Sequence, residues 1–128
     1  MTRGSARTLR TQSEALGGAR QLRLVTARQS GQGVHEVPVW FALAGDDLAL
    51  IARSAEGDWV RNVRAEPRVT VRYRRRRWAG VASVVTEEPA SRELQRAWYD
   101  RYIDHYPNLG LVEWNPQATV LRVVQTPS

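Results

Sequence analysis

The shortness of the connections between strand-like runs narrows what this chain can fold into more than any other feature. Leu22–Thr26, Val34–Ala42, Leu48–Ala52, Arg68–Tyr73, Trp78–Val85 and Thr119–Val124 are rich in β-branched, aromatic and apolar residues. Several of them alternate with the period of two that marks a half-buried strand. The polar stretch 27–33 separates the first two, Ala44-Gly45-Asp46-Asp47 reads as a hairpin turn, and Arg74–Arg77 reads as another. Parallel neighbours need a crossover of about a dozen residues or more, usually a helix. Most of these connections are shorter, so a doubly wound parallel sheet is excluded and an antiparallel one is expected. Pro38 interrupts the second run and predicts an edge or a bulge there, because proline cannot donate to a ladder. Leu48–Ala52 is apolar throughout and predicts a strand buried on both faces.

Two helices complete the pattern. The first spans Trp59–Ala65, with Asp58 as its expected N-cap, Trp59 and Val63 on its apolar face, and Pro67 beyond its end. Thr86-Glu87-Glu88-Pro89 opens the second, since acids suit a helix start and proline is tolerated at the first helical position. Leu94, Trp98 and Tyr102 give it an apolar stripe at i, i+4 and i+8, widened by Tyr99 and Ile103, until Pro107-Asn108-Leu109-Gly110 stops it. The order β-β-β-α-β-β-α-β predicts a mainly β (α+β) fold. About six antiparallel strands would curl into a small barrel with two helices at its ends. The chain's 128 residues suit one domain. Residues 1–18, rich in Arg, Ser, Thr and Gly, read as a flexible basic arm, and 19–128 as the folded domain.

Charge and cysteine usage bound the partners. The chain carries 19 Lys plus Arg, all of them Arg, against 13 acids, for a formal net charge of +6. Such a balance favours anionic partners, and Arg offers a rigid donor fork for phosphate and carboxylate. The absence of Cys excludes disulfides, iron–sulfur clusters, thiolate catalysis and Cys-based zinc sites. His35 and His105, the only His residues, lie far apart with no ligand-like carboxylate spacing, so no metal site is expected. No apolar run approaches the roughly 18 to 20 residues of a membrane span, and the polar N-terminus lacks the apolar core of a secretory signal, which together predict a cytoplasmic protein.

Three stretches could carry chemistry. Thr26-Ala27-Arg28-Gln29-Ser30-Gly31 can present backbone N–H groups, a hydroxyl and a guanidinium to a phosphate, or be a solvated hairpin. In His35-Glu36-Val37-Pro38-Val39-Trp40-Phe41, Pro38 frees neighbouring backbone groups to meet the edge of a planar ring, with Trp40 against it; the bland alternative is an edge strand with a core Trp. Arg53-Ser54-Ala55-Glu56-Gly57-Asp58-Trp59 joins a buried strand to a helix start, a natural anion site, although Glu56 and Asp58 oppose phosphate there.

These stretches together resemble the deazaflavin-dependent nitroreductase family, within the pyridoxamine 5'-phosphate oxidase-like split β-barrels. Thr26-Ala-Arg28-Gln-Ser30-Gly31 is similar to that family's T-G-R-x-S-G, and His35-Glu-Val-Pro38-Val-Trp40 to its R-x-x-P-L-x-Y. Trp59-Val-Arg-Asn62-Val63-Arg-Ala65-Glu-Pro67-Arg-Val69-Thr-Val71 is similar to W-x-x-N-L-x-A-N-P-x-V-x-V and is the most specific match. Arg53-Ser54-Ala55-Glu56-Gly57 departs from the family's S-K-G-G, lacking its Lys.

The resemblance implies a split barrel holding coenzyme F(420), with FMN as the alternative, and hydride transfer to a nitro, quinone or other unsaturated acceptor. It gives Arg28 and Ser30 to the coenzyme's phosphate tail, places Val37, Pro38 and Val39 along the ring edge, and counts His35, which stands where the family has an Arg, among the cofactor-binding residues. Arg53, Ser54, Trp59 and Asn62 would shape the phosphate and ribityl-side loop, Trp40 would stand near the ring, and Tyr106 over the substrate pocket. Trp40 and Tyr106 are then the expected catalytic residues, with a small-molecule cofactor and substrate as partners; pairing of two chains through their sheets is compatible with such a barrel. Two other readings compete. One is a redox-inactive relative that holds a different ligand. The other is a basic barrel binding single-stranded nucleic acid through Arg74–Arg77, flanked by Tyr73 and Trp78.

Overall fold

A computed structural model describes Leu16 and residues 19–126. The expected arm, residues 1–18, lies outside the described residues apart from Leu16, which is fully buried. The strands are β1 (Gln21–Ala27), β2 (Val34–Ala44), β3 (Asp47–Ala52), β4 (Arg68–Tyr73), β5 (Arg76–Val84) and β6 (Thr119–Gln125). Helix α1 (Asp58–Ala65) follows β3, and α2 (Ala90–Tyr102) follows β5. All neighbouring strands are antiparallel, and they close a barrel in the order β1-β2-β3-β6-β5-β4. Among the described residues the fold is therefore the expected mainly β barrel, carrying the helices α1 and α2.

Period-two alternation sends one residue set inward. Leu22, Leu24, Phe41, Leu48, Leu50, Val69, Val71, Trp78, Leu121 and Val123 fill the barrel, with Val60 and Val63 of α1 packed against the same core. A second, smaller cluster lies outside the barrel wall. There α2 lays Leu94 and Trp98 over Ala42, Ala49 and Val120. This cover explains why β3 is apolar on both faces: Leu48 and Leu50 face the barrel, and Ala49 faces α2. At Gly80 on β5 a Cβ would lie 2.9 Å from Val123 Cγ1 and 3.1 Å from Val124 O, so the β5–β6 approach requires glycine.

Several local expectations need correction. The N-cap of α1 is Gly57, not Asp58; Asp58 is the first helical residue and makes no side-chain cap. Pro89 is the N-cap of α2 and not its first helical residue, so the helix starts later than the acids at 87–88 suggest. Of the Arg74–Arg77 run only Arg74 and Arg75 form the turn, because pairing of Arg72 with Arg77 and Tyr73 with Arg76 extends β5 back to Arg76. Arg74 takes the positive φ of 57° that this two-residue hairpin demands.

Candidate functional site

The registers of β2 open the barrel wall at one place. Residues 34–40 of β2 pair with β1, whereas β3 pairs with β2 only through Phe41–Ala44 and Asp47–Leu50. Below Phe41 the two strands part, and β3 continues toward Ile51 and Ala52 bonded to β6 alone. A cleft of about 440 Å³ occupies the gap, lined by Val37, Pro38, Val39, Trp40, Ile51, Ala52, Arg53, Ser54, Gly57 and Trp59.

The direction of the β2 backbone follows from three hydrogen bonds. Phe41 N–H donates to the Tyr102 hydroxyl (2.9 Å), which reaches Phe41 O at 2.7 Å, and His35 O accepts from the Thr26 hydroxyl at 3.4 Å. Those residues turn their amide groups toward β1. By the alternation of an antiparallel strand, Glu36, Pro38 and Trp40 turn theirs toward the cleft. Pro38 thus places its missing donor where no strand is present to use it, which is why proline is tolerated inside a barrel strand. The cleft combines an apolar slot, a strand edge that can donate and accept, and the Arg53 guanidinium, which has no ion-pair or hydrogen-bond partner among the described residues. A planar cofactor with polar ring edges and an anionic tail suits that donor set, so the residues present fit a flavin or deazaflavin.

The expected site residues divide into three groups. Val37, Pro38, Val39, Trp40, Arg53, Ser54 and Trp59 converge on the cleft. Tyr106 reaches it through Trp40: the Tyr106 and Trp40 rings lie 5.0 Å apart, in a stack that also holds Trp98 and Tyr102. Arg28, Ser30, His35 and Asn62 do not line it. Arg28 and Ser30 lie on the β1–β2 turn, where Ser30 Oγ accepts from Gln32 N–H at 3.3 Å. Asn62 is buried and donates from Nδ2 to Thr26 Oγ1 at 3.0 Å, a link that fixes α1 against the end of β1.

Ser54 Oγ accepts from Glu56 N–H at 3.0 Å, which shapes the loop into α1. Glu56 and Asp58 are exposed and absent from the cleft lining, so the acids of that loop do not face the slot. Gly57 lines it from within the candidate loop stretch, whereas Ile51 and Ala52 line it without having been singled out, although the apolar end of β3 could have indicated them. Nor does the sequence reveal that Trp98 and Tyr102, read as a packing stripe, back onto Trp40.

The flanks of the Arg run are engaged. Trp78 is 7% exposed and packs in the core, and the Arg74 guanidinium lies 5.3 Å from the Tyr73 ring centroid. Trp78 is therefore not an open stacking surface for a base, while Tyr73 is half-buried. Among the described residues no three His, Asp or Glu side chains group to hold a metal, and no helix is long and apolar enough to cross a membrane.

Comparison with known proteins places this geometry. The fold is similar to a candidate pyridoxamine 5'-phosphate oxidase from Listeria innocua, with 17% identity and a TM-score of 0.67 over 92% of this chain and 93% of that one. It is similar to the heme storage protein HutZ from Vibrio cholerae, with 15% identity and a TM-score of 0.67 over 93% and 90%. A FAD-binding protein from Mesorhizobium loti gives 19% identity and a TM-score of 0.64 over 89% and 86%. Identities this low establish the shared split barrel and nothing finer. No curated protein matches the sequence. A family model does, over residues 3–111, and by that match the chain belongs to the F420H(2)-dependent quinone reductase family.

Proposed function

We propose that this chain is an oxidoreductase that binds F(420) in the β2–β3 cleft and passes a hydride from its reduced form to a small quinone, nitro or other unsaturated acceptor. The observation that carries this reading is the parting of β2 from β3, which exposes a strand edge beside an apolar slot. When bound, the coenzyme supplies the hydride, and the protein supplies binding, orientation and a dry environment. Val37, Val39, Ile51 and Trp59 exclude water from the slot. The cleft-facing amide groups of Glu36, Pro38 and Trp40 hold a ring edge, and Arg53 holds an anionic tail. Arg28 and Ser30, on the neighbouring turn, extend the anion-binding surface. His35 and Asn62 act indirectly, by fixing the start of β2 and the position of α1. Reduction leaves negative charge on an acceptor oxygen, and the Tyr106 hydroxyl donates a hydrogen bond or proton there.

Titration of the purified protein with F(420) and with FMN, followed by fluorescence, tests the binding half. Tight F(420) binding is expected, and Arg53→Ala weakens it roughly tenfold or more, the loss of a charge-assisted contact. Oxidation of reduced F(420) with menadione and a nitroaromatic tests the chemistry. Tyr106→Phe lowers turnover by about tenfold or more while leaving cofactor affinity unchanged. If neither cofactor binds, the hydride-transfer reading fails and the redox-inactive ligand-binding reading replaces it.

A further inference from the structure

The segment leading into β1 is held at several points to the end of α2. Leu16 and Ala19 are buried, and the Arg101 guanidinium donates to the carbonyl oxygens of both. The Tyr102 hydroxyl contacts Arg20 O at 2.9 Å. Arg20 itself is exposed, and its guanidinium lies over the Tyr106 ring, 5.6 Å from the centroid. A cation seated on an aromatic face has a defined position, which a solvated arginine lacks. Tyr106 in turn lies against Trp40, which lines the cleft. No acid neutralises Arg20 among the described residues, whereas Arg23, three positions on, is bound to Glu36. The pinned backbone therefore delivers an uncompensated positive charge to the outer side of the Trp40–Tyr106 pair.

We propose that Arg20 is a specificity-determining residue that favours acceptors bearing negative charge, such as quinones with a sulfonate or carboxylate substituent, bound against Trp40 and Tyr106. This rests on the acceptor side of the function proposed above. In the balanced reaction the reduced coenzyme gives up a hydride and is oxidised. The quinone gains the hydride's two electrons and proton, and a further proton from solvent by way of Tyr106 completes the hydroquinone. Before that last proton arrives the acceptor carries one negative charge on oxygen. Arg20 favours that charge as well as any anionic substituent, so its removal affects charged acceptors in binding and all acceptors, more weakly, in turnover.

The test uses the protein without added cofactor. Quenching of tryptophan fluorescence is titrated with 1,4-naphthoquinone-2-sulfonate and with neutral menadione, for wild type, Arg20→Gln, Arg20→Glu and Arg20→Lys. Because only the exposed side chain changes, the variants keep the fold, which circular dichroism checks. Arg20→Gln is expected to weaken the sulfonate's Kd by roughly three- to fivefold, the scale of one exposed charge pair. Arg20→Glu weakens it by roughly ten- to twentyfold, since attraction becomes repulsion. Arg20→Lys stays close to wild type, menadione changes by less than about twofold, and added salt erodes the sulfonate preference in wild type and Arg20→Lys but not in Arg20→Gln.

Equal Kd values for the sulfonate across the series would overturn the proposal, as would equal weakening of both quinones or no quenching of wild type by either. F(420) affinity, measured separately, is unchanged in Arg20→Glu. Failure of wild type to bind F(420) would sink the hydride-transfer reading and leave the quinone titration to decide the role of Arg20 by itself.

Discussion

At the scale of single residues, Tyr102 shows how one hydroxyl can replace a strand. The β1–β2 ladder ends at Gln21 and Trp40, so the next residue, Phe41, has no β1 partner for its N–H and C=O. The Tyr102 hydroxyl reaches both, and Arg20 O as well. Burial pushes this hydroxyl's pKa above the ordinary tyrosine value, so it stays protonated. Tyr102→Phe leaves two buried backbone groups unpaired and is expected to lower stability by about 1–3 kcal/mol, read from denaturant unfolding. Glu36 is the corresponding case for charge. Hydrogen bonds from Arg23 and Arg72, the latter at 2.7 Å, hold its carboxyl below the usual glutamate range. A carboxyl with a depressed folded-state pKa adds stability above its unfolded value of about 4.3, and that stability fades as pH falls through the lower folded value. Glu36→Gln is therefore expected to melt below wild type at pH 7, with the gap in Tm closing in acid. Tyr102 was legible in the sequence as an apolar position, but its hydroxyl partners are 61 and 82 residues away and left no local trace.

At the scale of elements, periodicity was the reliable signal and end chemistry the weak one. The alternation of Val69, Val71 and Tyr73, and the stripe of Leu94, Trp98 and Tyr102, each identified the face that packs. Helix starts misled, because Asp58 and Pro89 are each acceptable at more than one position of a first turn, and the surrounding loop decides between them. The Arg run misled for a related reason. Four like charges suggest a solvated turn, yet cross-strand pairing with Arg72 and Tyr73 takes the last two into β5. Gly80 belongs to this scale too, since its role appears only when β6 is laid beside β5. Gly80→Ala is expected to cost about 1–3 kcal/mol through contact with Val123 and the Val124 carbonyl, measured as a lower Tm.

At the scale of the whole molecule, the barrel is closed through six ladders and yet split along part of β2. Cleft-facing N–H groups lack a strand neighbour, so the amides of Glu36 and Trp40 are expected to exchange with solvent faster than those of Val37 and Val39. Addition of F(420) should slow the Glu36 and Trp40 amides selectively, in a residue-resolved hydrogen-exchange measurement. The sequence by itself determined the antiparallel class, the element order, the inward-facing residues and most of the residues that now line the cleft. It could do so because each depends on local period, on short connections, or on motifs whose spacing survives in one dimension. Only the tertiary structure decided where β2 leaves β3, that Asn62 is buried against Thr26 and does not line the cleft, and that Arg20 stands over Tyr106. Those facts depend on register and on contacts between distant segments: a period of two rules out slips of one residue but leaves shifts of two alike until the strands are paired.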